Sequence, residues 1–187
     1  MFVTNVFEQT VDKEMDLMCN QVISKILEKL LAMADRGTQE KFAQIILKEM
    51  RIICTDPYAS HVLECLMHIF MEKVLSRTDA ESGSEHLQFC EKWLCSVVQF
   101  TFNNVEDFIV DIYASHIIRT SLQCVSGVQV GVNVMKSQRS RNHLEGDGRG
   151  TDSDPLKCKP QPRPEIFMEI LREFAARFVS WPQLLVI

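Results

Sequence analysis

The chain has 187 residues, enough for one ordinary domain or a run of short helical repeats, and its apolar share of 46% can bury a continuous core. Seven glycines and six prolines are too few for a turn-rich β fold. The formal net charge of −5 excludes the bulk basic surplus usual in nucleic-acid binders, though a locally basic face is compatible with an acidic molecule.

The first amphipathic helix is predicted near 22–34, around Gln21-Val22-Ile23-Ser24-Lys25-Ile26-Leu27-Glu28. Phe42, Ile45, Ile46 and Met50 follow at helical spacing. A second helix is predicted near 57–75 and opens with Tyr58-Ala59-Ser60-His61-Val62-Leu63-Glu64. A polar stretch from Ser76 to Glu85 reads as a loop insertion, and Phe89, Trp93, Leu94, Val97 and Val98 form the next apolar stripe. The third copy is predicted near 112–125 and opens with Tyr113-Ala114-Ser115-His116-Ile117-Ile118-Arg119. It is followed after a delay by Ile166, Ile170, Leu171, Phe174 and Phe178.

The delay, 127–164, is rich in Gly, Ser, Pro and Asn, and is expected to be a disordered, locally basic loop. Its Lys136-Ser137-Gln138-Arg139-Ser140-Arg141 suits a nuclear address, a phosphate contact or a plain solvated loop. The organisation expected is repeats over 1–126, the loop over 127–164, and a last helix with a truncated end over 165–187. The closing Leu184-Leu185-Val186-Ile187 is unlike the polar cap that ends a repeat array, so the chain is expected to be a fragment of a longer one.

The spacing from Ser24 to Ser60 is 36 residues and from Ser60 to Ser115 is 55; the first suits a three-helix repeat and the polar insertion accounts for much of the excess in the second. On a wheel advancing about 100° per residue, with Ser60 at zero, His61 falls near 100° and Glu64 near 40°. Leu63, Met67, Phe70, Val62 and Leu66 occupy the opposite arc. Ser115, His116 and Arg119 are set against Ile117, Ile118, Leu122 and Val125 in the same way, and Ser24, Lys25 and Glu28 against Ile26, Leu27, Leu30 and Leu31. Stacked repeats would align the polar arcs into one inner surface. A planar ring there can stack on a base while a hydroxyl and a longer polar group reach its edge.

This pattern resembles the pumilio family, and the two Tyr-Ala-Ser-His strings with Asn5-Val6-Phe7-Glu8 are most similar to its nucleolar protein 9 branch. The resemblance implies an all-α solenoid of three-helix repeats, about three of them here. It further implies binding of single-stranded or structured pre-ribosomal RNA during small-subunit (18S) maturation in the nucleolus of the nucleus, with pre-ribosomal proteins as further partners. By the same resemblance Ser60 and Glu64 would meet a guanine edge and Ser115 and Arg119 a cytosine edge, with His61 and His116 stacking between bases. Lys25 departs from the stacking residue, so Ser24, Lys25 and Glu28 would make a phosphate contact or a silent repeat. The competing reading is an armadillo- or HEAT-like scaffold that grips a peptide; it has no need of a repeated stacking ring.

Other chemistry finds no support. The cysteines at 19, 54, 65, 90, 95, 124 and 158 form no Cys-x-x-Cys pair and read as reduced core thiols. His86 with Cys90 and Cys95 has the wrong facing for a metal, and His68, on the apolar side near Ile69, reads as a core or subunit-facing histidine. Ser60 and His61 diverge by about 100° and cannot form a nucleophile–base pair. No phosphate loop or paired-carboxylate motif appears, so neither an enzyme, a cofactor nor a small-molecule substrate is expected. No secretory signal or uncharged stretch able to span a bilayer is visible, and a soluble intracellular protein is expected.

Overall fold

A computed structural model describes residues 2–76, 84–127 and 163–179, and every element among them is a helix. In chain order these are α1 (Phe2–Glu8), α2 (Glu14–Met18), α3 (Ile23–Met33), α4 (Arg36–Lys48) and α5 (Met50–Thr55). They continue with α6 (Ala59–Leu75), α7 (Glu85–Asn103), α8 (Val105–Phe108), α9 (Ala114–Ser126) and α10 (Glu165–Val179). The expected loop at 127–164 lies outside the described residues from 128 to 162, as do the insertion residues 77–83 and the closing residues 180–187.

After α1 the helices fall into triplets, α2–α4, α5–α7 and α8–α10, each a short helix followed by two longer ones. The middle helices form one layer, α3 against α6 and α6 against α9. The third helices form a second layer, α4 against α7 and α7 against α10. Each triplet therefore covers the apolar side of its neighbour, the defining logic of an all-α repeat solenoid.

One Asx turn starts every middle helix. Asn20 Oδ1 accepts the backbone N–H groups of Val22 and Ile23 at 3.0 and 3.1 Å. Asp56 Oδ1 accepts those of Tyr58 and Ala59 at 2.8 and 2.7 Å, and Asp111 Oδ1 those of Tyr113 and Ala114 at 2.9 and 2.8 Å. A helix leaves its first N–H groups without intrahelical acceptors, and a short side-chain oxygen placed here satisfies two of them. α9 ends on Gly127, whose φ of 67° is the left-handed conformation that glycine adopts without strain.

Aromatic side chains tie the triplets together. Trp93 of α7 is fully buried, stands edge-on to Phe70 of α6 at 5.1 Å, and donates its indole N–H to the Ala43 carbonyl of α4 at 2.7 Å. Phe102 of α7 stacks on Phe174 of α10 at 4.0 Å.

The wheel predictions meet two exceptions. In α10 the predicted Ile170 is buried and Leu171 and Phe174 pack against the core, but Ile166 and Phe178 at the ends of the stripe are exposed, and Phe167, outside the predicted stripe, is fully buried. In α3, Ile26 is half exposed, whereas its equivalents Val62 and Ile117 are fully buried. α6 and α9 each have a preceding middle helix to cover that register; α3 has none among the described residues.

Candidate nucleic-acid interface

Every predicted site residue lies near the start of a middle helix, and the stacking of α3, α6 and α9 brings the three sets into adjacent positions. Within each set the residues occupy different depths. Ser24 and Ser60 are buried, at 2% and 3% exposure, rather than lining an open surface as expected. Ser115 is half-buried, and its hydroxyl donates to the Ile112 carbonyl at 3.0 Å. The pattern has a geometric cause. Serine sits about 200° around the helix from Val62 or Ile117, which face the preceding middle helix, so it faces the following one. α6 covers Ser24 and α9 covers Ser60; α9 has no following middle helix among the described residues.

The second position projects outward. The His61 side chain is 50% exposed, Lys25 is exposed, and His116 is half-exposed. An Arg119 guanidinium nitrogen lies 3.2 Å from His116 Nδ1. Guanidinium offers only donors, so Nδ1 accepts and the ring proton is assigned to Nε2.

The third position carries the electrostatics. Glu64 has a side chain only 14% exposed, lying in the seam between α6 and α9. Its Oε1 accepts the Thr120 hydroxyl hydrogen bond at 2.6 Å and lies 3.8 Å from Arg119; its Oε2 lies 3.9 Å from His61 Nδ1. Burial pushes the carboxyl up. The polar contacts with His61 and Thr120 and the fields of His68 and Arg119 pull it down and prevail, so Glu64 sits below the usual carboxylate range. It is ionised at neutral pH and has lone pairs left for a further donor. Glu28, its counterpart in α3, is half-buried, and there the Cys65 thiol donates to the Glu28 backbone carbonyl at 3.4 Å.

His86, weighed as a metal ligand, is held in a polar chain. Its Nδ1 lies 2.5 Å from Glu40 and its Nε2 lies 3.0 Å from Lys73, whose ammonium also donates to Gln39 at 2.5 Å. Lysine has only donors, which assigns the ring proton to Nδ1, facing Glu40. Cys90 lies 3.6 Å from Nε2, and burial pushes its thiol up to about 11. Among the described residues no cluster of three or more His, Cys, Asp or Glu side chains is arranged to hold a metal. The same residues include no helix long and apolar enough to cross a membrane.

Sequence reasoning missed the capping residues Asn20, Asp56 and Asp111. Each stands four positions before the serine of its helix, so the signal was present at the same spacings of 36 and 55 residues. It also missed Thr120, which no local pattern marks.

Comparison with known proteins agrees with this architecture. The chain is 26% identical over 150 residues to Nucleolar protein 9 of Komagataella phaffii, an alignment covering 75% of this chain and 23% of that protein. It is 25% identical over 204 residues to Nucleolar protein 9 of Candida albicans, covering 96% and 28%. The corresponding protein of Penicillium rubens is 26% identical over 196 residues, covering 96% and 27%. The chain thus spans about a quarter of the length of these curated relatives. Among solved structures, APUM23 with GGAUUUGACGG superposes with a TM-score of 0.61 at 21% identity, over 91% of this chain and 29% of that one. The model of the NOP9-like PUF repeat domain matches residues 12–182, which takes in all three triplets, and the chain belongs to that family.

Proposed function

We propose that this chain is an RNA-binding helical-repeat module whose ligand runs along the polar arcs of α3, α6 and α9. The observation that carries the reading is the placement of two matched sets on helices in direct contact, with His61 and His116 at the same outward register. Flat rings at the spacing of successive helices suit stacking against unpaired bases. Glu64, ionised and held at the seam, can accept from the two donors on the Watson–Crick edge of guanine. Arg119 can donate to the acceptors of cytosine. Ser60 and Ser115 shape the floor beneath these edges, while Lys25 suits a phosphate, with Glu28 and Ser24 beside it.

The relatives' name supports nucleolar residence within the nucleus, and the ligand solved with APUM23 is a ribonucleotide sequence. The RNA proposed is therefore a ribosomal precursor, bound during small-subunit (18S) rRNA maturation and in company with pre-ribosomal proteins. Phosphate contacts would make the affinity fall with salt. The test is a filter-binding titration of the chain with small-subunit precursor RNA, beside the His61→Ala, His116→Ala double variant. The double variant should bind at least tenfold more weakly, since base–aromatic stacking is worth about 1–3 kcal/mol per base. Equal binding by both proteins refutes base stacking and returns the peptide-scaffold reading to the front.

A further inference from the structure

We infer that Thr120, which belongs to the third triplet, is the positioning residue for Glu64 of the second, so that base selection on α6 is completed by a side chain of α9. This rests on the proposal that Glu64 faces a base edge. Thr120 is itself 1% exposed, and its hydroxyl bond to Glu64 Oε1, at 2.6 Å, is a side-chain bond between the two middle helices. On the helical wheel Thr120 falls about 140° from Ser115, and Cys65 about 140° from Ser60, so the two are equivalent positions facing the preceding helix.

The two contacts differ in what they hold. Cys65 reaches the backbone carbonyl of Glu28 and does nothing to orient that carboxylate. Thr120 reaches the carboxylate itself. A free glutamate side chain has several rotatable bonds, and ordering it on ligand binding costs affinity. Thr120 removes part of that loss beforehand for Glu64. Because the hydroxyl occupies one lone pair of Oε1, both carboxylate oxygens still have acceptor capacity for the two donors of a guanine. The pull of this bond on the Glu64 proton gives an independent readout.

The experiment uses the full chain with Thr120→Val, which removes the hydroxyl at nearly constant shape, and Thr120→Ser, which keeps it. Binding is measured to short uridine-rich single-stranded RNAs that carry G, A, C or U at one central position, with Glu64→Gln as reference. In parallel the Glu64 carboxyl is titrated by carbon NMR. The expected result for Thr120→Val is an upward move of the Glu64 midpoint and a loss of about fivefold in the guanine-over-adenine ratio, the worth of roughly one hydrogen bond. Thr120→Ser should restore both. If Glu64→Gln lowers the ratio but Thr120→Val leaves ratio and midpoint untouched, Thr120 does not position Glu64 and the inference falls. If Glu64→Gln leaves the ratio unchanged, the base-reading role of Glu64 falls instead. The midpoint in Thr120→Val then decides alone whether Thr120 holds the carboxylate, and an unmoved midpoint overturns that too.

Discussion

Replacing Asp56 by alanine removes the acceptor for two backbone N–H groups at the start of α6, Tyr58 at 2.8 Å and Ala59 at 2.7 Å. Loss of a capping side chain costs about 0.5–2 kcal/mol, and two short bonds at a partly buried helix start place this one near 2 kcal/mol. Asparagine keeps the oxygen, and repeat one already uses Asn20 in this role; Asp56→Asn should cost a few tenths. Urea unfolding followed by far-UV circular dichroism would separate them. With an m value of about 2.5 kcal/mol/M, Asp56→Ala moves the midpoint down by about 0.8 M and Asp56→Asn by about 0.1 M. A second readout comes from Cys19. Burial pushes its thiol up, and the charge of Asp56 and the hydrogen bond to it push it up further. Asp56→Ala should therefore speed alkylation of Cys19 in the native protein. Equal destabilisation by alanine and asparagine would refute the capping argument, since both remove the charge but only alanine removes the acceptor.

Trp93→Phe deletes the indole N–H that satisfies the Ala43 carbonyl and leaves a void beside Phe70, and about 3 kcal/mol of destabilisation in urea is expected; under 1 kcal/mol would contradict the described packing. Glu64→Gln should flatten the acid side of the stability profile. The folded carboxyl lies below its ordinary 4.5, so its contribution is present above that value and is lost as pH falls through the lower folded value; the gap between wild type and variant must close in acid, and a gap that is constant with pH would refute the assignment. Among the described cysteines, Cys54 and Cys124, pushed up to about 12 by burial, should resist iodoacetamide longest, as judged by mass spectrometry of timed quenches.

The helices and their repetition were readable because period and composition are local. The three middle helices begin and end within two residues of their predicted bounds, and the Tyr-Ala-Ser-His strings fall where the wheel placed them. Depth was not readable. Ser60 and Ser115 have the same immediate neighbours in sequence, yet the first is buried and the second is not, because only α6 is followed by another middle helix among the described residues. Ile26 against Val62 is the same effect from the other side. Contacts between triplets were equally hidden: Glu64 meets Thr120 across 56 residues and Glu40 meets His86 across 46, separations that no windowed pattern can see. The caps are a different case, since Asn20, Asp56 and Asp111 recur in register but differ in residue type, which weakens the match to the eye.

A small hydroxyl residue looks toward the next middle helix while a branched aliphatic looks back, and this pairing acts as a ruler. Ridge-into-groove packing allows helix axes about 8–10 Å apart, with small residues favouring the short end. That pitch is still wider than the thickness of stacked aromatic rings, so a chain molecule that gives one unit to each helix must be drawn out rather than lie coiled. Exchanging the buried Ser60 for a bulky residue would push α6 and α9 apart and lengthen the ruler.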